Sequence, residues 1–336
     1  MPEQWKHKIF NVTKAGFEAL ALEIFAFQYQ HNTLYRSYAD ALGRRPGAVQ
    51  SMREIPFLPI RFFKSHEVKT TNFTPEAVFE SSGTTGMERS RHFVKDLSLY
   101  EESFLRSFRL FYGDINDYHV MALLPSYLER QGSSLVYMAE KLIRLSGSPY
   151  SRFYLDDTDA LLQALAETES AAERQPEARR KNLLLGVTFA LLDLPVPQPL
   201  ALRHTIVMET GGMKGRKQEM VRAEVHELLK AKLGLPHIHS EYGMTELLSQ
   251  AYSRGEGVFH CPPWMQVWVR DEEDPLQVAP QGAGAINVVD LANTGSCAFM
   301  ATDDAGRVHA GGSFEVLGRI DGSDLRGCSL LTVDNG

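Results

Sequence analysis

Cysteine is scarce in this 336-residue chain: Cys261, Cys297 and Cys328 are the whole complement. The count is odd and the spacings are wide. A disulfide framework or a cysteine-ligated zinc site therefore does not organise the fold, and a reducing, cytoplasmic setting is the expectation. Long apolar runs are lacking too. No segment approaches the roughly 20 apolar residues of a membrane-spanning helix. The basic residues of MPEQWKHKIF lead into no apolar stretch of the kind a secretory leader carries. Positive charge is not in excess: the formal net charge is −7, so nothing favours nucleic acid or an anionic membrane surface as a partner. Repeats and low-complexity tracts are also missing. What is present is ordinary globular composition, 43% hydrophobic and 23% charged, with length enough for a sizeable core in one large domain or two smaller ones.

Residues 13–30, TKAGFEALALEIFAFQYQ, space Phe17, Leu20, Ile24 and Phe27 along one face of an amphipathic helix. IPFLPIRFFKS (55–65) holds two prolines and reads as an extended lead-in, not a helix. AVFES (77–81) is a short strand, 97–111 has helical periodicity, and HVMALLP (119–125) is a buried strand closed by proline. GSSLVYMAEKLIRLSG (132–147) is a helix with serines at its start and Gly147 beyond its end. A charged surface helix within 156–182, looping near Pro176, is followed by a buried strand in NLLLGVTFALLDL, the strand TIVMET (205–210), a helix over 223–233 and the strand HIHSEYG (237–243). INVVDLA (286–292), CAFMAT (297–302) and SFEVLG (313–318) read as later strands. The alternation predicts an α/β fold of layered sheets and helices with substantial parallel pairing, carrying a β-rich subdomain over about 256–336.

Several turns at strand ends are unusually bare. Ser81, Ser82, Gly83, Thr84, Thr85 and Gly86 form SSGTTG, with glycines that let backbone N–H groups approach an anion and hydroxyls that add donors. It is not a Walker A loop, because no Lys-Ser/Thr follows; a plain surface turn is the alternative. GGMKGRK (211–217) begins with Gly211 and Gly212 and reads otherwise as a turn leading into a helix. EYGMTE (241–246) gathers Tyr242, Gly243, Thr245 and Glu246, or is a helix N-terminus where Glu246 complements the dipole. TDDAGR (302–307) is a β-turn by itself, and GRID (318–321) a surface ion pair. Three bare turns after strands point to one shared crevice, since ligands of such sheets bind where strands end.

In this order, Ser81–Gly86, Gly211–Gly212, Tyr242–Glu246, Thr302–Asp304 and Gly318–Asp321 resemble the motif series of the adenylate-forming superfamily of acyl and aryl ligases. LPSYLERQGSSLVYM, HSEYGMTELLSQAY, VVDLANTGSCAFMATDD and FEVLGRIDGSDLRGCSLL resemble more narrowly the LuxE type of acyl-protein synthetase, over nearly the whole chain from the first helix to Cys328. The resemblance implies the large domain of adenylate-forming enzymes without their small C-terminal domain. It implies ATP and Mg²⁺, with Ser81–Gly86 around phosphates, Gly211 and Gly212 against adenine, and Tyr242, Gly243 and Thr245 near the phosphate. Glu246 would hold the metal, and Asp304 and Arg319 the ribose. Cys328 would carry the acyl group.

The implied reaction activates a carboxylic acid, of the fatty acid kind, to an acyl-AMP and passes the acyl group to a protein cysteine that feeds an acyl reductase partner. Two readings stand beside it: a truncated acyl- or aryl-CoA ligase, and a non-catalytic nucleotide-binding subunit. The sequence departs from the superfamily at Thr302-Asp303-Asp304, where Thr-Gly-Asp is usual; spacing assigns the ribose to Asp304, with Asp303 the alternative. Met87-Glu88-Arg89 replaces the usual Pro-Lys, so Lys64, Arg89, Arg91 and Lys214 are substitutes for a missing lysine or merely solvated charges. His237 and His239 share a strand face without a third ligand, which puts His239 beside the nucleotide and not on a metal. Cys261 and Cys297 read as small buried residues.

Overall fold

A computed structural model describes residues 3–82, 88–125, 132–174, 180–196, 200, 202–211, 220–271 and 273–320. The chain begins with helices α1 (Glu3–Phe10), α2 (Phe17–His31) and α3 (Thr33–Ala41), then strand β1 (Leu58–Pro59) and the short helix α4 (Phe62–Ser65). A hairpin follows, β2 (Ala77–Glu80) and β3 (Arg91–Val94). Next come α5 (Leu97–Tyr112), β4 (Tyr118–Leu123), α6 (Ser134–Ser146), β5 (Arg152–Phe153), α7 (Thr158–Arg174), β6 (Lys181–Gly186), α8 (Thr188–Asp193), β7 (Thr205–Glu209), α9 (Arg222–Leu233) and β8 (His239–Tyr242). The remainder is strand: β9 (Ala251–Ser253), β10 (Val258–Phe259), β11 (Met265–Arg270), β12 (Val278–Ala279), β13 (Gly282–Asp290), β14 (Phe299–Val308) and β15 (Phe314–Arg319).

The alternating half makes a six-stranded sheet in the order β5-β4-β6-β7-β8-β9. Every pairing from β5 to β8 is parallel, and β9 closes the edge antiparallel to β8. Its central strands are apolar on both faces, as a parallel sheet covered by helices on each side requires. Val120, Ala122, Leu183 and Leu185 join the core under α5 and α6, with Tyr100, Phe104, Phe108 and Met138. Met121, Leu184 and Val207 face the other way, onto Leu161, Leu191, Val225 and Leu229 of α7, α8 and α9. The strand-rich half makes a second, largely antiparallel sheet in the order β10-β15-β14-β13-β11-β12, with β1 added parallel to β14. The α/β layering expected from the sequence is the observed architecture. Among the described residues no helix is long and apolar enough to cross a membrane.

α2 ties the two ends of the chain together. Gln28, fully buried on its inner face, donates from Nε2 to the carbonyl oxygens of Asn293 (3.0 Å) and Thr294 (3.3 Å). Its Oε1 accepts from the Ala298 N–H at 3.0 Å. Asn32 caps α3 by accepting from Tyr35 N–H and donates to the Ser296 carbonyl at 3.1 Å. A polar residue buried on an otherwise apolar face is legible as such only when its partners, some 265 positions away, are known.

The buried strand expected within NLLLGVTFALLDL is β6; the same apolar run then turns at Val187 into α8 and so serves two elements. Two sequence expectations are corrected. Phe62–Ser65 is a helical turn, because Pro56 and Pro59 constrain only the residues ahead of them. TDDAGR is no turn: it runs inside β14, with a register shift at Ala305/Gly306 against β15. The charged helix before Pro176, α7, also lays an apolar face (Leu161, Ala164, Leu165) on the sheet; Pro176 itself lies outside the described residues.

Candidate active site

The carboxyl ends of β7 and β8 open toward β14 and β15, and most of the described motif residues converge there. Tyr242, the last residue of β8, donates its hydroxyl to Asp304 Oδ2 at 2.9 Å, bridging the two sheets. Its ring is fixed edge-on against Phe259 and Phe314. Asp304 is cross-strand from Arg319, whose Nε lies 3.8 Å from Oδ1. Burial raises the Asp304 carboxyl above the ordinary carboxylate range, against the lowering effect of the Tyr242 hydroxyl and Arg319. Asp303 points away and pairs with Arg61 at 3.3 Å. Asp304, which spacing assigned to the ribose, is therefore at the crevice, and the alternative Asp303 is not.

Beside Gly211 sits a buried carboxylate that sequence reasoning passed over. Glu209, 2% exposed at the end of β7, accepts from Thr188 Oγ1 (3.0 Å), the Gly211 N–H (2.7 Å), Arg222 Nε (3.0 Å) and Ser240 Oγ (2.8 Å). His226 Nε2 lies 3.1 Å from Ser240 Oγ and 3.6 Å from the carboxylate. Burial alone would raise the Glu209 carboxyl; His226, Arg222, Gly211 and Ser240 together hold it at about 2, so it stays ionised. Gly211 has φ +76°, a conformation glycine adopts without strain, and Glu209 pins it there. The partners of Glu209 come from β6–α8, α9 and β8, so no local pattern announces them.

The Thr245–Glu246 backbone is clamped from the hairpin. His92 of β3, 1% exposed, lies between the Thr245 carbonyl oxygen (2.9 Å from Nδ1) and Asn293 Oδ1 (3.1 Å from Nε2). Asn293 in turn donates from Nδ2 to the Glu246 carbonyl at 2.7 Å. Burial lowers His92 to about 4, so it is a neutral structural ligand of this loop. The same hairpin opens the bare loop. Ser81 N–H donates to the Ser90 carbonyl, and the Ser90 N–H donates to Ser81 Oγ, each at 3.0 Å, clasping the loop at its neck. Ser82 is exposed beyond this clasp. Gly83, Thr84, Thr85, Gly86, Gly212, Lys214, Asp321 and Cys328 lie outside the described residues.

No cluster of three metal-ligating side chains exists among the described residues. Buried Glu246 is the carboxylate of the motif and follows Thr245 in the chain. One carboxylate fits a magnesium ion, which keeps several waters and takes phosphate oxygens, and does not fit a caged zinc or calcium. His239 starts β8, away from its carboxyl end, with Nδ1 3.2 Å from the Tyr112 hydroxyl; His237 is exposed beside Glu256. The pair does not converge on the crevice. Lys64 is exposed, Arg89 pairs with Glu80 at 3.5 Å, and Arg91 stacks over Phe93. Cys297 is buried, and burial pushes its thiol up to about 12. Cys261, also pushed far up by burial, lines a cleft of about 1270 Å³ between the end of α5 and β11, which contains none of the motif residues.

The architecture is shared with solved structures. The chain is similar to ATP-bound MatB from Rhodopseudomonas palustris, with a TM-score of 0.50 and 19% identity over 84% of this chain and 56% of that one. An ATP-bound RpMatB-BxBclM chimera gives the same figures. O-succinylbenzoate coenzyme A synthetase (MenE) from Bacillus subtilis, in complex with AMP, is similar at TM-score 0.48 and 18% identity, over 75% of this chain and 64% of that one. At 19% identity the likeness to the MatB structure and the chimera establishes the fold alone, and this chain covers little more than half the length of each. No family model matches the chain, and no curated protein matches it.

Proposed function

We propose that the chain activates a carboxylic acid with ATP to an acyl adenylate and then hands the acyl group to a protein cysteine. One observation carries the reading: the Tyr242–Asp304–Arg319 assembly, in which three motifs far apart in sequence meet at the carboxyl ends of a parallel sheet. The ATP-bound structures that share this fold support a nucleotide in that crevice. Asp304 would accept from the ribose hydroxyls, Arg319 would donate to ribose or phosphate oxygens, and the Gly211 turn, held by Glu209, would lie against the base. Ser81 to Gly86 would supply N–H and hydroxyl donors to the phosphates.

A carboxylate is a poor acyl donor because oxide would have to leave. Its oxygen attacks the α-phosphorus of ATP, the α–β phosphoanhydride bond breaks, and pyrophosphate departs with the electron pair. The acyl-AMP that remains is a mixed anhydride with a good leaving group. Magnesium, held by Glu246 beside Thr245, supplies charge screening between carboxylate and phosphates when bound. A thiolate of Cys328 then attacks the acyl carbon, releasing AMP and leaving a thioester that an acyl reductase partner would consume. A fatty acid is the substrate that the sequence resemblance favours.

The test is pyrophosphate release from ATP and Mg²⁺ over a panel of carboxylic acids, followed by neutral hydroxylamine treatment of the protein. Acid-dependent release with hydroxylamine-labile acyl label, abolished by Cys328→Ala, supports the whole reading. Release that requires coenzyme A points to a CoA ligase. ATP binding with no release for any acid points to a nucleotide-binding subunit and overturns it.

A further inference from the structure

A cavity of about 310 Å³ is lined by Ala301 and Asp303 of β14. These residues alternate along the strand with Asp304, which meets Tyr242, so the cavity lies on the face of β14 turned away from the candidate active site. Four arginines line it as well: Arg44, Arg53, Arg61 and Arg270. The first three are spread along the segment between α3 and α4, and the fourth ends β11. The whole chain carries a net charge of −7, so this gathering of one sign runs against its composition. Guanidinium groups around one hollow repel one another, and an anion between them removes that repulsion.

The carboxylates nearby leave most of this charge unanswered. Glu54, also in the wall, accepts from the Gln50 N–H at 2.6 Å and the Ser51 N–H at 3.0 Å. These backbone donors are the main reason its carboxyl is lowered, and the charge of Arg44 adds less. Asp303 takes Arg61 at 3.3 Å, but the two side chains are 33% and 59% exposed, and an open pair of this kind contributes little. Asp271 and Asp274, in the acidic loop after β11, accept from N–H groups of their own loop, and neither lines the cavity. Among the described residues the guanidinium groups of Arg44 and Arg53 make no hydrogen bond and no ion pair. Arg270 is a fixed part of the wall: its Nη1 donates to the Ile286 carbonyl and to Asn287 Oδ1, each at 2.8 Å, and its Nη2 to the Thr302 carbonyl at 2.6 Å. Apolar groups complete the lining. Tyr38, Phe57 and Leu276 belong to it, and Leu276 is left 41% exposed.

We propose that this cavity binds a phosphate monoester carried on an apolar or aromatic body, at a site separate from the nucleotide crevice. Its volume is that of a small-molecule site. Arg44, Arg53 and Arg61 arrive independently and suit the three acceptor oxygens of a phosphate, each through a charge-assisted hydrogen bond. A carboxylate offers two oxygens in one plane and suits a single arginine. Tyr38, Phe57 and Leu276 take the body by apolar contact. Arg61 is shared: the phosphate draws it from Asp303, and the weakness of the open pair lets it go. Neither the ligand nor the cavity depends on the acid-activation reading.

Isothermal titration calorimetry with phenyl phosphate, inorganic phosphate and benzoate tests the site. Wild type is expected to bind phenyl phosphate saturably. Arg44→Gln and Arg53→Gln should each weaken it by about 10-fold, the worth of one hydrogen bond to a charged group. Asp303→Asn should tighten it several-fold, because Arg61 is released; an unchanged or weaker affinity overturns the sharing of Arg61. The side chains of Arg44 and Arg53 hold nothing within the chain, so both variants should melt with wild type, and a fall of several degrees would give them a structural role and overturn the assignment. Binding that is unchanged in both arginine variants belongs elsewhere in the molecule, the nucleotide crevice included, and overturns it too. Inorganic phosphate should bind about 10-fold more weakly than phenyl phosphate, the contribution of a buried ring; equal affinity would make free phosphate the ligand and overturn the organic ester. Benzoate bound as tightly as phenyl phosphate overturns the phosphate. No saturable binding of any of the three at millimolar concentration overturns the site altogether.

Discussion

At the scale of single residues, the two aspartates of Thr302-Asp303-Asp304 show how much a sequence can and cannot assign. Spacing favoured Asp304 and kept Asp303 as the alternative; a pleated strand sends adjacent side chains to opposite faces, so only one could meet Tyr242. Asp304→Ala is expected to raise the KM for ATP by about 10-fold, the value of one charge-assisted hydrogen bond, and Asp303→Ala much less, in a pyrophosphate-release assay. Glu246→Gln should lower kcat on the order of 10²-fold in the same assay, as removal of one important transition-state contact does, while circular dichroism stays native. Glu209 and His92 were not legible, because their partners are supplied by elements that only folding brings together. Glu241 gives a pH signature. Its folded value of about 8 lies above its ordinary 4.5, so the native state holds an extra proton between these values and loses stability as pH rises through them. The groups facing it do not titrate there: Tyr100, Tyr112 and Tyr252 are pushed up, His239 down to about 4 and Glu209 down to about 2. Thermal melts of Glu241→Gln against wild type should therefore diverge progressively from pH 5 to pH 8, in favour of the variant.

At the scale of elements, periodicity served well where one face decides the structure. The strands β4, β6 and β7 and the helices α2, α5, α6 and α9 follow from their apolar spacing. It failed where neighbours decide. β11, paired with β12 and β13, passed unnoticed, and the second part of β14, whose start was read as a strand, was read as a turn because Asp-Asp-Ala-Gly has turn composition, although its residues pair with β13 and β15. Caps were only partly legible: Ser133 before α6 and Gly147 after it fit the expected signals. Asn32 was missed, since it serves α3 and the Ser296 carbonyl at once. Asn32→Ala should cost about 1–2 kcal/mol, the upper range for a lost cap. Urea unfolding is expected to show a lower midpoint with an unchanged slope.

At the scale of the whole molecule, the candidate site belongs to neither sheet. The Tyr242–Asp304 hydrogen bond and the His92 clamp join two sheets whose facing residues already share one apolar core, so a ligand held there would stabilise both. Mg²⁺–ATP at 100 times its dissociation constant should add about 2.7 kcal/mol, seen as one cooperative transition moved upward by a few degrees. Two separate transitions, only one of them shifted, would contradict this coupling. The bonds from Gln28 to the backbone around Asn293 and Ala298 have a consequence for biosynthesis. α2 leaves the ribosome with its inner face uncovered, and the segment that covers it is made some 265 residues later. At about 5–20 residues per second that is a delay on the order of 10–50 s. For that interval Phe25 has the nearby Tyr35 but not Phe299 to pack against, and the nascent chain is the form in which this protein would most need a chaperone.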